Sequence, residues 1–194
     1  MRLFKRKKDD ELKPKKDELF DIPVGSMIEL SDLATFNLED KATQTYELRA
    51  YKKYEADGFL RFMYDLIDDE EAILGVDVDP STGESNIVRF VIDSEEEFTK
   101  PLGDTIVMEF DDPENSSEMI KVKYSRNNIT NTKMTTVASD GVEEFYDIEL
   151  QDYLADDGSI LMAELWESYF TFYLGEPIER ANVNVFQINP DGKK

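Results

Sequence analysis

The sequence predicts a mainly β fold: an antiparallel sheet forming a sandwich or an open barrel of roughly ten short strands, with one or two short helices. Three features carry that expectation. Apolar and polar side chains alternate with a period of two along most of the chain, as they do when one face of a sheet meets a core and the other meets water. Turn-forming pairs such as Asp57-Gly58, Asn127-Asn128, Asp140-Gly141 and Asp157-Gly158 punctuate these runs. The chain also holds 12 Phe and 9 Tyr, residues that fit strands and bury large areas, so an aromatic core is expected.

Residues 44 to 78 organise the rest. Tyr46, Leu48 and Ala50 alternate with Glu47 and Arg49, and Asp57-Gly58 then supplies the positive φ angles of a tight hairpin turn. In the next strand Leu60, Phe62, Tyr64 and Leu66 share one face, while Phe59, Arg61, Met63 and Asp65 share the other. Two apolar-leaning faces predict a central strand. Asp68, Asp69, Glu70 and Glu71 form a charged loop, and Leu74, Val76 and Val78 make a third strand that ends at Pro80.

Before this block, Asp21-Ile22-Pro23 ends a basic leader and Gly25 opens a strand from Ser26 to Leu30. Ser31-Asp32 has the chemistry to cap a helical turn reaching Phe36. After the block, Ile87 to Ile92 alternate as a fourth strand, and Ser94 with Glu97 has capping-box spacing, which predicts a short helix over residues 95 to 100 stopped by Pro101. The rhythm resumes at Ile106 to Phe110, Ile120 to Tyr124, Met134 to Ala138 and Val142 to Leu150. Ile160 to Trp166 pairs with Tyr169 to Leu174, Gly175 and Pro177 break that run, and Val183 to Ile188 is the last strand. No internal repeat is evident.

The chain of 194 residues is long enough for one large core, and no Gly/Ser or Pro-rich linker divides it. The expected organisation is a flexible basic leader, residues 1 to 20, and a single acidic mainly-β domain, residues 21 to 194. The formal charge of -22 conceals the contrast between them. Residues 1 to 16 hold eight basic and three acidic side chains, a net of +5, which leaves -27 for the remainder. The domain is therefore expected to repel nucleic acid and anionic lipid, with no direct nucleic-acid binding of its own, whereas the leader is drawn to both. No apolar run reaches the roughly 20 residues needed to span a bilayer, and none of signal-peptide type follows the basic region, so the expected location is cytoplasmic.

With no His and no Cys, the Ser-His-Asp and Cys-His arrangements and structural zinc sites are excluded. Carboxylates, Tyr, Lys, Ser and Thr remain. Glu164 and Glu167, beside Trp166 and Tyr169, are the candidate catalytic pair, because paired carboxylates hydrolyse glycosidic bonds and an aromatic wall binds sugars. An outward strand face is the plainer reading. Asp77, Asp79 and Ser81 share the one-three-five spacing of a calcium loop, but Thr82 and Val88 stand where the turn glycine and bidentate glutamate belong, which favours a hairpin turn. No cofactor is expected. Leu3 and Phe4 beside Lys5, Arg6, Lys7 and Lys8 give the leader the chemistry to touch an anionic membrane surface or an acidic partner.

The order Gly25-Ser-Met-Ile-Glu-Leu30, Leu60-Arg-Phe-Met-Tyr64, Asp68-Asp-Glu70 before Leu74, and Ile160-Leu-Met-Ala-Glu164 resembles the YjfK-like family of uncharacterised bacterial proteins over about residues 25 to 175. That family usually carries a histidine just before the arginine matched by Arg61, where this chain has Leu60. The resemblance implies no activity or catalytic residues. It implies a cytoplasmic accessory role, sometimes alongside phage-shock-protein-A-like membrane-stress proteins. The functional expectation is a non-catalytic interaction protein with a protein partner, and the alternatives are a carboxylate-based, glycosidase-like hydrolase and an acidic nucleic-acid mimic.

Overall fold

The computed structural model describes residues 19–31, 43–79, 82–97, 101–112 and 118–188. The leader residues Leu3, Phe4, Lys5, Arg6, Lys7 and Lys8 lie outside these, as does the helical turn predicted after Ser31. The described residues form eleven strands in one antiparallel sheet: β1 (Met27–Ser31), β2 (Thr43–Ala56), β3 (Phe59–Ile67), β4 (Glu71–Val78), β5 (Ser85–Glu97), β6 (Thr105–Asp111), β7 (Met119–Val137), β8 (Glu143–Leu154), β9 (Ile160–Leu165), β10 (Tyr169–Ile178) and β11 (Val183–Phe186). The mainly β expectation holds. Among the described residues the helical content is one 3-10 turn, Arg180–Asn182.

The sheet order is β11-β1-β2-β3-β4-β5-β10-β9-β8-β7-β6, and β2 also pairs with β7. That last pairing, Tyr51–Glu55 against Lys133–Val137, closes β2, β3, β4, β5, β10, β9, β8 and β7 into a ring. The two long strands make the closure because each changes partner along its length. Strand β2 pairs with β1 through Thr43–Glu47 before it reaches β7, and β7 pairs with β6 through Met119–Ser125 before it reaches β2.

The topology shows a repeat that the sequence does not announce. Two five-stranded meanders, β1 to β5 and β6 to β10, join through equivalent strands, β2 with β7 and β5 with β10. Each contains an Asp-Gly turn, at Asp57-Gly58 and Asp140-Gly141, whose glycines have φ of 72° and 76°. Only glycine takes this left-handed backbone at little cost. Phe62 and Phe145 stand at the same distance beyond these turns.

A bulge in each long strand decides which side chains enter the ring. Tyr46 and Leu48 of β2 pack in an outer core, the register shifts between Leu48 and Ala50, and Tyr54 then lies in the inner core. Strand β7 does the same between Arg126 and Asn128, with Tyr124 outside and Met134 inside. An extra residue switches the face on which every later side chain falls. The predicted turn at Asn127-Asn128 is this bulge, and one strand runs through it.

The core therefore has three parts. The inner one gathers Tyr54, Met63, Phe90, Met134, Leu150, Met162 and Tyr173 from strands around the ring. The outer face of the first meander is covered by β1, β11 and Leu19 to Ile22, and that of the second by residues of β6, β7 and Leu102. Leu19 and Phe20, assigned by the sequence to the leader, are thus part of the packed fold: Leu19 is buried, and Phe20 stacks on Phe62 with centroids 6.2 Å apart.

Two further expectations are corrected. Ser94 to Glu97 extend β5 instead of opening a helix, because Glu95, Glu96 and Glu97 find ladder partners in Thr171, Phe170 and Tyr169. Gly175 and Pro177 do not end β10. Gly175 faces Phe90, where a Cβ would stand 2.5 Å from the ring, and Gly75 on β4 meets the other edge of the same ring at 2.6 Å. These two glycines make room for one aromatic side chain inside the barrel. Pro177 lies past Gly175, where the pairing with β9 has ended and a missing N–H is tolerated.

Candidate functional site

The interior is polar as well as aromatic, because two ionic clusters project into it. The first is centred on Glu164 of β9, which is fully buried. Lys52 Nζ donates to both of its carboxylate oxygens at 3.0 Å, Trp166 Nε1 donates to Oε1 at 2.8 Å, and the Tyr54 hydroxyl donates to Oε2. The Tyr173 hydroxyl stands 3.4 Å from Oε2 and also accepts from Lys52 Nζ at 3.0 Å. A carboxylate has about four lone-pair sites, so this donor set fills them.

The electrostatics follow the burial. Desolvation pulls the Lys52 ammonium down, but the Glu164 carboxylate and the Tyr173 hydroxyl outweigh it and leave Lys52 above its ordinary value. Burial raises the Tyr54 hydroxyl well above its ordinary value and pushes Tyr173 up to about 12, and the Glu164 charge adds to both. Lys52 reaches this position through the bulge beside Arg49, which brings its part of β2 into phase with the interior.

The second cluster is centred on Arg61 of β3, whose side chain is 6% exposed. Its Nε and Nη2 donate to the two carboxylate oxygens of Asp77, the latter at 2.7 Å, while Nη1 and Nη2 donate to Asp152 at 2.8 and 3.3 Å. The Phe59 ring lies 5.3 Å from the guanidinium carbon. A planar fork with five donors suits two carboxylates in a way that an ammonium group does not.

The predicted site residues are placed as follows. Glu164 and Glu167 are not brought together: Trp166 N–H donates to Tyr169 O at 2.8 Å, which puts Glu167 in the exposed hairpin turn. Asp77 and Asp79 also part company. Asp77 is taken up by Arg61, whereas Asp79 shapes the turn by accepting from Gly83 N–H at 2.7 Å and Thr82 N–H at 3.3 Å. Among the described residues no group of acidic side chains is arranged to hold a metal ion.

Around the first cluster the barrel opens in a cavity of about 150 Å³, lined by Lys52, Asp65, Glu95, Trp166, Tyr169 and Thr171 among others. Trp166 and Tyr169 stack at its edge with centroids 5.6 Å apart and planes 9° from parallel, and Tyr146 meets Trp166 edge-on at 5.1 Å. Sequence reasoning misses Asp65 as a site residue, because one acid sharing a strand face with Phe59, Arg61 and Met63 belongs to no motif. A larger cavity of about 330 Å³, mostly apolar, lies against the outer face of β10 between Val91, Phe110, Ile120 and Leu174.

No family, curated protein or solved structure matches the chain. Among the described residues no helix is long and apolar enough to cross a membrane.

Proposed function

We propose that the protein is a non-catalytic binding protein that engages a protein partner, with its basic leader contacting an anionic surface or an acidic partner in the cytoplasm. The observation that supports this best is the saturation of Glu164. Its oxygens accept from Lys52, Trp166 and Tyr54, so the most buried acid of the candidate pair is committed to holding strands together. A glycosidase needs one carboxyl group free to protonate the leaving oxygen and a second to attack or to activate water. Glu167, the intended second group, is in the turn. The accessory role implied by the resemblance to the YjfK-like family agrees with this reading.

A carboxylate-based hydrolase stays as the second reading for one reason: Asp65 lines the same cavity as Glu164, beside an aromatic wall. Affinity capture with the full chain, and with residues 1–16 removed, separates the two readings when combined with hydrolysis assays on aryl glycosides. A stoichiometric partner and no turnover are expected. Turnover that disappears in Glu164→Gln would establish the hydrolase instead.

A further inference from the structure

The mouth of the barrel contains an acid to which the fold gives no hydrogen bond. Asp65 of β3 lines the 150 Å³ cavity and makes no hydrogen bond or ion pair among the described residues. Its charged neighbours are matched elsewhere. Lys52 of β2 is held by Glu164 of β9 and Tyr173 of β10, and Arg49 of β2 donates to Glu71 of β4 at 3.1 Å. Each of these pairs is neutral as a unit. Asp65 and, from β5, Glu95 therefore add two negative charges to one cavity, and Lys52 and Arg49 offset the first only in part. The stacked Trp166 and Tyr169 form one wall, and Met63, Ile73 and Ile92 also line the cavity.

We propose that this mouth binds an organic cation, a guanidinium or ammonium group on a short alkyl stem, with the charge against Asp65 and Glu95 and the stem or planar face against Trp166 and Tyr169. The proposal names the ligand chemistry for the binding-protein reading and rests on it. Aromatic faces attract cations through the ring quadrupole, most strongly where water is excluded. A void of this size holds a benzene-sized group, which matches a guanidinium carrying one or two methylenes. An inorganic or organic anion would meet two carboxylates at the entrance. A neutral sugar would stack on the same wall and donate hydroxyls to Asp65, and the glucose control separates it from a cation. The protonation of Asp65 agrees with the charge pattern: burial raises its carboxyl above the ordinary value, Lys52 and Arg49 offset part of that, and Glu71 and Glu164 add to it. A bound cation favours the ionised acid, so binding weakens as the pH falls through the raised value.

The chain has one tryptophan, and it stands in this wall, so its fluorescence reports on the mouth directly. The full chain is titrated with ethylguanidinium, with propylammonium and with a blocked tripeptide carrying one arginine. Sodium chloride at matched ionic strength and glucose serve as controls. A saturable change with the cations alone is expected, weakened about tenfold by Asp65→Asn and unaffected by Glu167→Gln. Circular dichroism checks that Asp65→Asn is folded, and Glu95→Gln, at an exposed position, gives an independent loss of affinity. Tighter binding of the tripeptide than of ethylguanidinium identifies a protein side chain as the source of the cation, and equal or weaker binding identifies a free small molecule. The proposal is overturned if the cations do no more than the salt control, if neither Asp65→Asn nor Glu95→Gln weakens them, or if glucose alone saturates. A partner captured equally well by Asp65→Asn would leave the binding-protein reading standing and move its surface away from the mouth.

Discussion

Replacing Arg61 with Met tests whether the interior of the barrel is held by its ionic clusters. The side chain is nearly volume-matched, so the change removes charge and hydrogen bonds with little loss of packing. Four charge-assisted hydrogen bonds disappear, two to Asp77 and two to Asp152. The cost comes mainly from the acids left behind. The Asp152 side chain is 13% exposed and that of Asp77 32% exposed, so Asp152 loses its counter-charge with little water to replace it. Removing one partner of a buried ion pair costs about 3–5 kcal/mol, a large share of the roughly 5–15 kcal/mol that keeps a domain folded. For a chain of this length that is a fall in Tm of about 6–20 °C. Urea unfolding followed by Trp166 fluorescence and by circular dichroism measures it. A second variant, Arg61→Met with Asp152→Leu, should recover most of the loss, because an apolar pair of similar volume needs no counter-charge. A loss below about 1 kcal/mol in Arg61→Met, or no recovery in the double variant, would refute the argument that an unpaired Asp152 carries the cost.

Three other outcomes are expected. Gly175→Ala places a methyl group 2.5 Å from Phe90 and 2.7 Å from Val88, an overpacking cost of about 1–3 kcal/mol, and Phe90→Leu in the same chain should reduce it; additive losses in denaturant unfolding would mean that the contact is relieved in another way. Asp65→Asn should stabilise the fold near neutral pH, because an acid whose folded pKa lies above the unfolded value weakens the fold as pH rises through that raised value; the gain should vanish below the ordinary value of 3.8, and a gain independent of pH in unfolding curves would contradict the assignment. Replacing Lys5, Arg6, Lys7 and Lys8 with Gln should abolish co-sedimentation with acidic liposomes at low salt, and Phe4→Ala should matter more at high salt, where exposed charges are screened over about 8–10 Å; binding indifferent to the four Gln changes would leave the leader as a solubilising tail.

The strands were largely legible because alternation and turn chemistry are local. Gly58 has the positive φ that its turn demands, and the two apolar-leaning faces of Phe59–Ile67 are both covered, one by the inner core and one by the outer. What failed was set by partners distant in sequence. The capping spacing of Ser94 and Glu97 is real, but a strand already in register with β10 offers those residues ladder bonds that a short isolated helix cannot match. Gly175 reads as a breaker until Phe90 is seen against it. The bulge beside Arg49 has no composition of its own, and without it Lys52 would not be assigned to the interior with Glu164.

The two ionic clusters also account for how the halves of the barrel find one register. Lys52 and Tyr54 belong to β2 and Glu164 to β9, while Arg61 belongs to β3 and Asp152 to β8, so each cluster ties the first meander to the second across the interior. Hydrophobic contacts alone would tolerate a slip, since Met63, Met134 and Met162 in the inner core are flexible side chains that refill irregular space. Charged groups do not tolerate it. A shift of one residue in β9 would turn Glu164 outward and take from the partly buried Lys52 the carboxylate to which it donates. The same fixed register sets Trp166 and Tyr169, which flank the two-residue turn after β9, beside Asp65 at the mouth. The clusters that align the two meanders therefore also position the wall of the proposed cation site, and variants that break Lys52–Glu164 should loosen that wall before they unfold the chain.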